Sequence, residues 1–285
     1  MTASAAAERA LSWLATAWDS RDADDARLAV DALALAAVCR LLVEPAEETM
    51  LMTGAIEDGI ARAVPEPAWT GTGLLAGLLA AGAAVARGDR LAENAGAYLR
   101  ALAALDYGDA VDTNGVLLRL ALSGEEGISF RAPDGLFRLR GGKEDVRRFL
   151  ADVEMGSGFG TAKLATCEPD GTLLHGAAVA AFRAYDLPLG MRLLRAANYV
   201  SAPPRPMPLA FVRASQCDNG SFGDYDTPLA RLRERGEPNA ELRLRLPVAL
   251  QALWTLGEAE SPDFRLVRVG FAACRAALLS PEFDQ

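Results

Sequence analysis

Two carboxylates flank a phenol at Gly223-Asp224-Tyr225-Asp226, the stretch of the chain best suited to acid–base chemistry. In an apolar cavity one carboxyl group can have a raised pKa and act as an acid while its neighbour stays ionised. Asp224 and Asp226 are therefore candidate catalytic residues, and Tyr225 is a candidate substrate-binding residue. A helix boundary accounts for the same residues, because Asp226 directly precedes Thr227-Pro228 and Pro favours the first turn of a helix.

His175 is the single histidine of the chain, and it follows a turn that contains Asp170. It fits either a hydrogen-bonded packing position or a site. Residues 114–119 (NGVLLR) align without gaps with residues 170–175 (DGTLLH), so Arg119 and His175 are equivalent. Two potentially cationic residues at one repeat position favour a shared ligand. This predicts a catalytic role for His175 and substrate binding by Arg119 and Asp170.

A longer repeat surrounds these residues. The segment FVRASQCDNGSFG starts at residue 211, and FLADVEMGSGFG starts at residue 149. Both contain an aromatic–aliphatic pair, then Gln216 or Glu154, then a glycine-rich turn that closes on Phe-Gly. A weaker third copy starts at Tyr98-Leu99. Copies that recur every 50–70 residues or so predict helical hairpins that stack or close into a ring.

This order of residues resembles the QW-type repeat of the α/α-toroid terpene cyclases and the related prenyltransferases. There an aromatic–aliphatic pair, a Gln, a Gly and a Trp mark the turn between two helices. Phe211-Val212, Gln216 and Gly220 match these positions, whereas Phe222 replaces the Trp. The resemblance covers the region 98–258 and implies an all-α fold, an α/α toroid with a central cavity. It also implies a structural role for Gln216, which would cap the next helix and stack on the aromatic ring.

An acidic cluster near the N-terminus has two interpretations. Asp22-Ala23-Asp24-Asp25 formally matches the Asp-x-Asp-Asp acid of class II terpene cyclases. In that family the motif lies within the toroid and continues into Thr-Ala, whereas here it precedes the repeats and continues into Ala26-Arg27. Carboxylates also stabilise the positive end of a helix, and this capping role is the interpretation that we prefer for the cluster.

Neither a metal nor a cofactor is expected. The prenyltransferases of the resembled family bind zinc through Asp, Cys and a later His, but Cys217-Asp218 has the reverse order and His175 precedes it. The cysteines are too widely spaced for a zinc knuckle or a redox motif; they are Cys39, Cys167, Cys217 and Cys274. The chain also lacks a nucleotide-binding loop, a kinase motif set and a serine-hydrolase elbow.

The composition predicts one globular domain that spans residues 1–285, with 51% hydrophobic and 24% charged residues. Glu8 and Arg9 interrupt the apolar core that a secretory signal needs, which predicts a cytoplasmic protein. The net charge of −9 argues against nucleic-acid and anionic-membrane partners. The uncharged stretch 67–86 is long enough to span a membrane, but its glycines favour an inner helix of a bundle. No pattern specifies an oligomeric state.

One segment departs from the helical pattern. Residues 128–142 alternate apolar and polar side chains around Pro133-Asp134-Gly135, which predicts a small β-hairpin inserted into the ring.

Two functions follow from these patterns. The first is an enzyme of specialised metabolism that cyclises or isomerises an apolar small molecule by cofactor-free acid–base chemistry in the toroid cavity. The second is a non-catalytic helical-repeat module that binds a peptide or a partner protein. A closed cavity lined by polar and aromatic side chains favours the enzyme, and a flat apolar rim favours the module.

Overall fold

The computed structural model describes residues 1–18, 25–43, 142–157, 159–160, 164, 171–200, 206–261 and 264. Their helices are α1 (Ala3–Ala17), α2 (Ala26–Leu42), α3 (Lys143–Gly156), α4 (Gly171–Arg183), α5 (Leu187–Tyr199), α6 (Pro206–Ala214), α7 (Asp226–Glu234) and α8 (Ala240–Glu260). In this part of the chain the only β-type pairing is one antiparallel bridge between Gln216 and Phe222. The all-α prediction is confirmed for these residues, and the toroid arrangement stays a prediction.

Several predicted features lie outside the described residues. They are the weak third repeat copy, the uncharged stretch 67–86, Arg119, Asp170 and, apart from Gly142, the β-hairpin at 128–142. Among the helices that are described, none combines the length and the apolar character that a membrane span needs.

Helix α8 is the central element of the described core. Every residue from Val248 to Glu258 is buried, as expected of a helix that is surrounded on all sides. It packs against α1, α2, α5, α6 and α7. Polar side chains in this half of α8 therefore have no solvent to contact and must bond within the protein.

Small residues bring α1 close to its neighbours. Ala3, Ala6, Ala7 and Ala10 are buried on the face that also carries Trp13, and this spacing matches one side of a helix. Helix α2 begins at an N-cap residue, Asp25, whose carboxylate accepts a hydrogen bond from Leu28 N at 3.2 Å. The Asp25 carboxylate also pairs with Arg243 at 2.5 Å. The capping interpretation of the acidic cluster thus holds at Asp25, whereas Asp22 and Asp24 lie outside the described residues.

Helices α4 and α5 form a tightly packed antiparallel hairpin. Tyr185, in the connecting turn, has a left-handed backbone with φ of 58°. Asp186 then caps α5 by accepting a hydrogen bond from Leu189 N at 3.4 Å. A Cβ atom at Gly190 would stand 2.3 Å from the Phe182 ring, so glycine allows this close approach.

The two best repeat copies fold into similar turns. Glu154 is buried near the end of α3, and Gln216 is buried near the end of α6. The phenylalanine that follows each of them, Phe159 or Phe222, is buried as well. Each turn closes on a glycine with φ of 84°, Gly160 in the first copy and Gly223 in the second.

Each closing glycine also lies against a tyrosine ring. A Cβ atom would stand 2.4 Å from Tyr199 Cε1 at Gly160 and 2.3 Å from Tyr225 Cε2 at Gly223. The two turns thus share a closing glycine that lies against a tyrosine ring, although Tyr199 belongs to α5 and Tyr225 follows two residues after Gly223.

Candidate functional site

The predicted catalytic carboxylates lie at a helix start. Helix α7 begins at Asp226, and Asp224 Oδ1 accepts a hydrogen bond from Asp226 N at 3.4 Å. The Asp226 side chain is 86% exposed and lies 3.5 Å from Arg245 Nη2. These contacts are those of the helix boundary, and an exposed carboxylate does not have the apolar surroundings that the acid–base hypothesis requires.

Tyr225 pairs with a second tyrosine. Its ring centroid lies 6.1 Å from that of Tyr185 in an edge-to-face arrangement, and the Tyr185 hydroxyl accepts a hydrogen bond from Asp224 N. Burial, with a smaller contribution from Tyr185, raises the pKa of Tyr225 to about 12. Burial also raises the pKa of Tyr185. Both phenols therefore stay protonated at neutral pH.

His175 is buried near the start of α4, with 3% of its surface exposed. Tyr185, which contacts the Asp224 loop, lies just beyond the end of the same helix. Ten residues separate the two positions, which corresponds to about 15 Å along a helix axis. The structure thus brings Asp224, Tyr225 and Asp226 together with Tyr185, and it places His175 toward the opposite end of α4.

Arg245 connects the second repeat turn to α8. Its side chain is 7% exposed, its Nη1 donates to Ser221 Oγ, and the same atom lies 3.9 Å from Cys217 Sγ. Its Nε lies 3.9 Å from Glu241 Oε1. These contacts hold the turn in place.

Gln216 does not cap the next helix, contrary to the resemblance. Its Nε2 donates to Ala6 O at 2.8 Å and to Gly220 O at 2.9 Å, and α7 has no side-chain cap. The amide closes its own turn and attaches that turn to α1. Arg9 adds a second link by donating to Cys217 O at 2.7 Å.

A buried cation lies between α5 and α8. Arg195 is 2% exposed, and its guanidinium lies 4.0 Å from the centroid of the Trp254 ring. It donates to Thr255 Oγ1 at 2.9 Å, to Gln251 O at 3.3 Å and to Gln251 Oε1. These acceptors are all neutral, and in the described part of the chain Arg195 Nε has no hydrogen-bond partner. Buried charges are normally paired, so this arrangement is unusual.

A buried carboxylate lies on the face of α8 that also carries Gln251 and Thr255. Glu258, with 5% of its surface exposed, accepts hydrogen bonds at Oε1 from Trp254 Nε1 at 2.6 Å and from Tyr199 Oη at 3.1 Å. Burial and then the charge of Glu258 raise the pKa of Tyr199 well above its ordinary value. The Tyr199 phenol therefore remains a hydrogen-bond donor.

Arg195 and Glu258 line one pocket between α5, α6 and α8, together with Asn198 and Thr255. Leu194 and Leu209 form apolar parts of its wall, and the volume of this partly open pocket is about 10 Å³, which is room for one water molecule. We use the name α5–α8 polar cluster for the set Arg195, Tyr199, Gln251, Trp254, Thr255 and Glu258.

The residues of this cluster were not among the predicted site residues, although the sequence contains a signal for them. Gln251, Thr255 and Glu258 recur at helical spacing within an otherwise apolar run, and Arg195 and Tyr199 are four residues apart. Polar residues at such positions share one face of a helix.

The described residues contain no group of three His, Cys, Asp or Glu side chains that would hold a metal ion. Comparison of the chain with protein-family models, with curated proteins and with solved structures finds no match.

Proposed function

We propose that the protein is an enzyme of specialised metabolism that isomerises or cyclises a predominantly apolar small molecule by acid–base chemistry without a cofactor. The α5–α8 polar cluster is the proposed site. The observation that carries this proposal is that Arg195 and Glu258, two buried side chains of opposite charge, are among the residues that line the same pocket. Charged side chains inside an apolar core are costly to bury, and they concentrate at functional sites.

Each side chain of the cluster has a role that fits its contacts. The Glu258 carboxylate accepts a proton from the substrate. Tyr199 and Trp254 fix the position of this carboxylate through their hydrogen bonds to Oε1. Arg195 stabilises negative charge that develops on the substrate. The walls formed by Leu194 and Leu209 suit an apolar substrate.

Substrate access requires a local rearrangement, because the pocket has room for one water molecule only. Leu209, on the short helix α6, forms part of the wall, so its displacement would enlarge the pocket toward α6. Leu209→Ala is accordingly expected to strengthen binding of small apolar molecules in the pocket.

The experiment is proton exchange in deuterium oxide. The protein is incubated with a panel of apolar ketones, enones and polyenes, and deuterium incorporation is measured by mass spectrometry. Glu258→Gln is expected to slow the exchange by roughly 10²–10⁴-fold. Glu234→Gln, which changes an exposed carboxylate of α7, is the matched control. Exchange that Glu258→Gln leaves unchanged, or no exchange with any compound, would contradict the proposal.

A second candidate function, a module that binds an amphipathic peptide, is favoured by exposed apolar side chains on α6. Met207 and Phe211 are 69% and 38% exposed, and the Phe211 ring lies 4.9 Å from that of Phe182. Exposed apolar patches often mark protein interaction sites. Met207→Asp should abolish binding of peptides selected from a display library, whereas the enzyme proposal expects no effect on proton exchange.

A further inference from the structure

The tip of the second repeat turn holds an Asn–Gly pair. Asn219 is exposed, whereas Gly220 is buried and has φ of 94°, a conformation that glycine adopts at no steric cost. The backbone nitrogen of Gly220 can close a five-membered ring with the side-chain carbonyl carbon of Asn219, and no Cβ atom at position 220 hinders it. The pair thus contains both the nucleophile and the acyl group of an intramolecular substitution.

Two donors from Ser221 bond to the amide oxygen of Asn219. Asn219 Oδ1 accepts hydrogen bonds from Ser221 N at 3.0 Å and from Ser221 Oγ at 2.7 Å. Ser221 is fully buried, so the surrounding protein fixes the direction of both donors. Two fixed donors at a carbonyl oxygen stabilise the negative charge that the oxygen acquires when its carbon is attacked.

Arg245 holds the Ser221 hydroxyl in this direction. Arg245, which is 6% exposed, donates from Nη1 to Ser221 Oγ. Because the hydroxyl oxygen accepts this bond, its own hydrogen points to Asn219, and the cation makes the hydroxyl a stronger donor. Arg245 is therefore a positioning residue that acts through Ser221.

One contact opposes attack by Gly220. Its N–H donates to Cys217 O at 2.9 Å, and this bond must open before the nitrogen attacks. The net strength of a typical hydrogen bond corresponds to a factor of about ten in rate at most. Loss of one oxyanion donor changes a rate by about 10²–10³-fold, so the donors from Ser221 outweigh the bond to Cys217.

We propose that Asn219 is a site of intramolecular deamidation, in which Gly220 N displaces the side-chain amide and Ser221 stabilises the oxyanion. The modification is independent of the proposed enzymatic function. It needs water as the co-reactant and no oxidant or reductant.

The reaction has three steps. Gly220 N loses its proton to hydroxide and forms a bond with Asn219 Cγ, while the carbonyl π pair moves to Oδ1. When this pair returns, the Cγ–Nδ2 bond breaks and the nitrogen takes a proton from water and leaves as ammonia, which gives a succinimide ring. Water then opens the ring to an aspartate or an isoaspartate at position 219.

The isoaspartate product would weaken the attachment of α1. Gly220 O accepts a hydrogen bond from Gln216 Nε2, and a Cβ atom at Gly220 would stand 2.0 Å from Arg9 O, so the turn lies directly against α1. An isoaspartate inserts one extra carbon into the backbone next to Gly220. The turn then no longer fits both contacts, and α1 is expected to loosen as the protein ages.

Peptide mapping by mass spectrometry measures the deamidation rate. Trypsin places Asn219 and Asn114, which also precedes a glycine, in separate peptides, so Asn114 is an internal reference. In urea the two sites should react at similar rates. In the native protein Asn219 should react about tenfold faster than it does in urea, because only the folded turn supplies the fixed donors. A native rate at Asn219 that equals or falls below the rate in urea would overturn the inference.

Variants of the donors test the mechanism in the native protein. Ser221→Ala should slow deamidation of Asn219 by about tenfold or more and leave Asn114 unchanged. Arg245→Met should slow it as well, and Arg245→Lys, which keeps a cationic donor, should restore part of the rate. An unchanged rate at Asn219 in Ser221→Ala would show that the hydroxyl does not assist. The comparison of native protein with urea decides the case if these variants do not fold.

Hydrogen exchange of the α1 amides measures the effect on α1. The deamidated fraction of aged protein should exchange faster there than fresh protein, whereas aged Asn219→Gln, in which this ring closure is suppressed, should not. Identical exchange in the deamidated and fresh proteins would refute the effect on α1.

Discussion

Gly160 packs directly against the ring of Tyr199, so that a Cβ atom at position 160 would stand 2.4 Å from Tyr199 Cε1. The hydroxyl of the same tyrosine donates to Glu258 at 3.1 Å. The first repeat turn is thereby connected to the α5–α8 polar cluster, because the turn that contains Gly160 sets the position of the ring whose phenol holds the carboxylate.

Gly160→Ala should destabilise the protein. The residue has φ of 84°, which costs an L-residue about 1–2 kcal/mol, and the added methyl group would press on Tyr199. Urea unfolding followed by circular dichroism measures the change. Gly176→Ala is the control, because nothing lies near a Cβ at that position of α4 and alanine should stabilise a helix by about 0.5–1 kcal/mol. Equal effects at both positions would refute the packing argument.

Gln216 anchors α1 through a donated hydrogen bond, so the chemistry of its side chain should matter more than its size. Gln216→Ala is expected to cost about 1–3 kcal/mol of unfolding free energy, because it removes bonds to Ala6 O and Gly220 O. Gln216→Glu should cost more at neutral pH, since a carboxylate would face two carbonyl oxygens. Urea titrations of both variants, with hydrogen exchange of the α1 amides, measure this. If Glu is tolerated as well as Gln, the donated bonds are not what holds α1.

Glu154, the repeat equivalent of Gln216, has a side chain that is 7% exposed and forms a partly buried ion pair with Arg192 at 2.6 Å. Burial lowers the pKa of Arg192, but the charge of Glu154 and its hydrogen bond outweigh this and raise it. Arg192→Met leaves a carboxylate buried without its partner, and it should cost about 3–5 kcal/mol. Breaking the exposed pair of Arg233 with Glu241 should cost at most about 1 kcal/mol. Chemical unfolding of the two variants gives the comparison, and similar losses would contradict it.

Stability should fall at alkaline pH because of the buried phenols. An unfolded tyrosine loses its proton near pH 10 or so, whereas the folded pKa is well above this for Tyr199 and about 12 for Tyr225. Between these values the folded state binds more protons, so its stability is complete below about pH 10 and decreases as the pH rises toward the folded pKa values.

Unfolding by urea at pH values of about 9, 10 and 11 tests this, together with the ultraviolet absorbance of tyrosinate. Tyr225→Phe should reduce the pH dependence, because it removes one of the shifted phenols. A free energy of unfolding that stays constant over this range would show that the phenols titrate normally.

The sequence by itself determined the local features of this protein. Helical periodicity, the caps at Asp25 and Asp186 and the turns that close on Gly160 and Gly223 depend on residues close to one another in the chain. Backbone conformation and nearby hydrogen bonds act over a few residues, so their sequence patterns are readable. For the same reason the helix-boundary interpretation of Asp226 was available from the sequence.

Only the tertiary structure decided which polar side chains meet. Gln216 bonds to Ala6, which is 210 residues away, and Tyr199 bonds to Glu258 across 59 residues. Such partners come together when the apolar faces of α1, α5 and α8 are buried against one another. The hydrophobic effect is not directional, so a local sequence pattern does not specify which faces meet. The residues of the α5–α8 polar cluster were visible in the sequence as polar positions in apolar helices, but their meeting depended on how those helices pack.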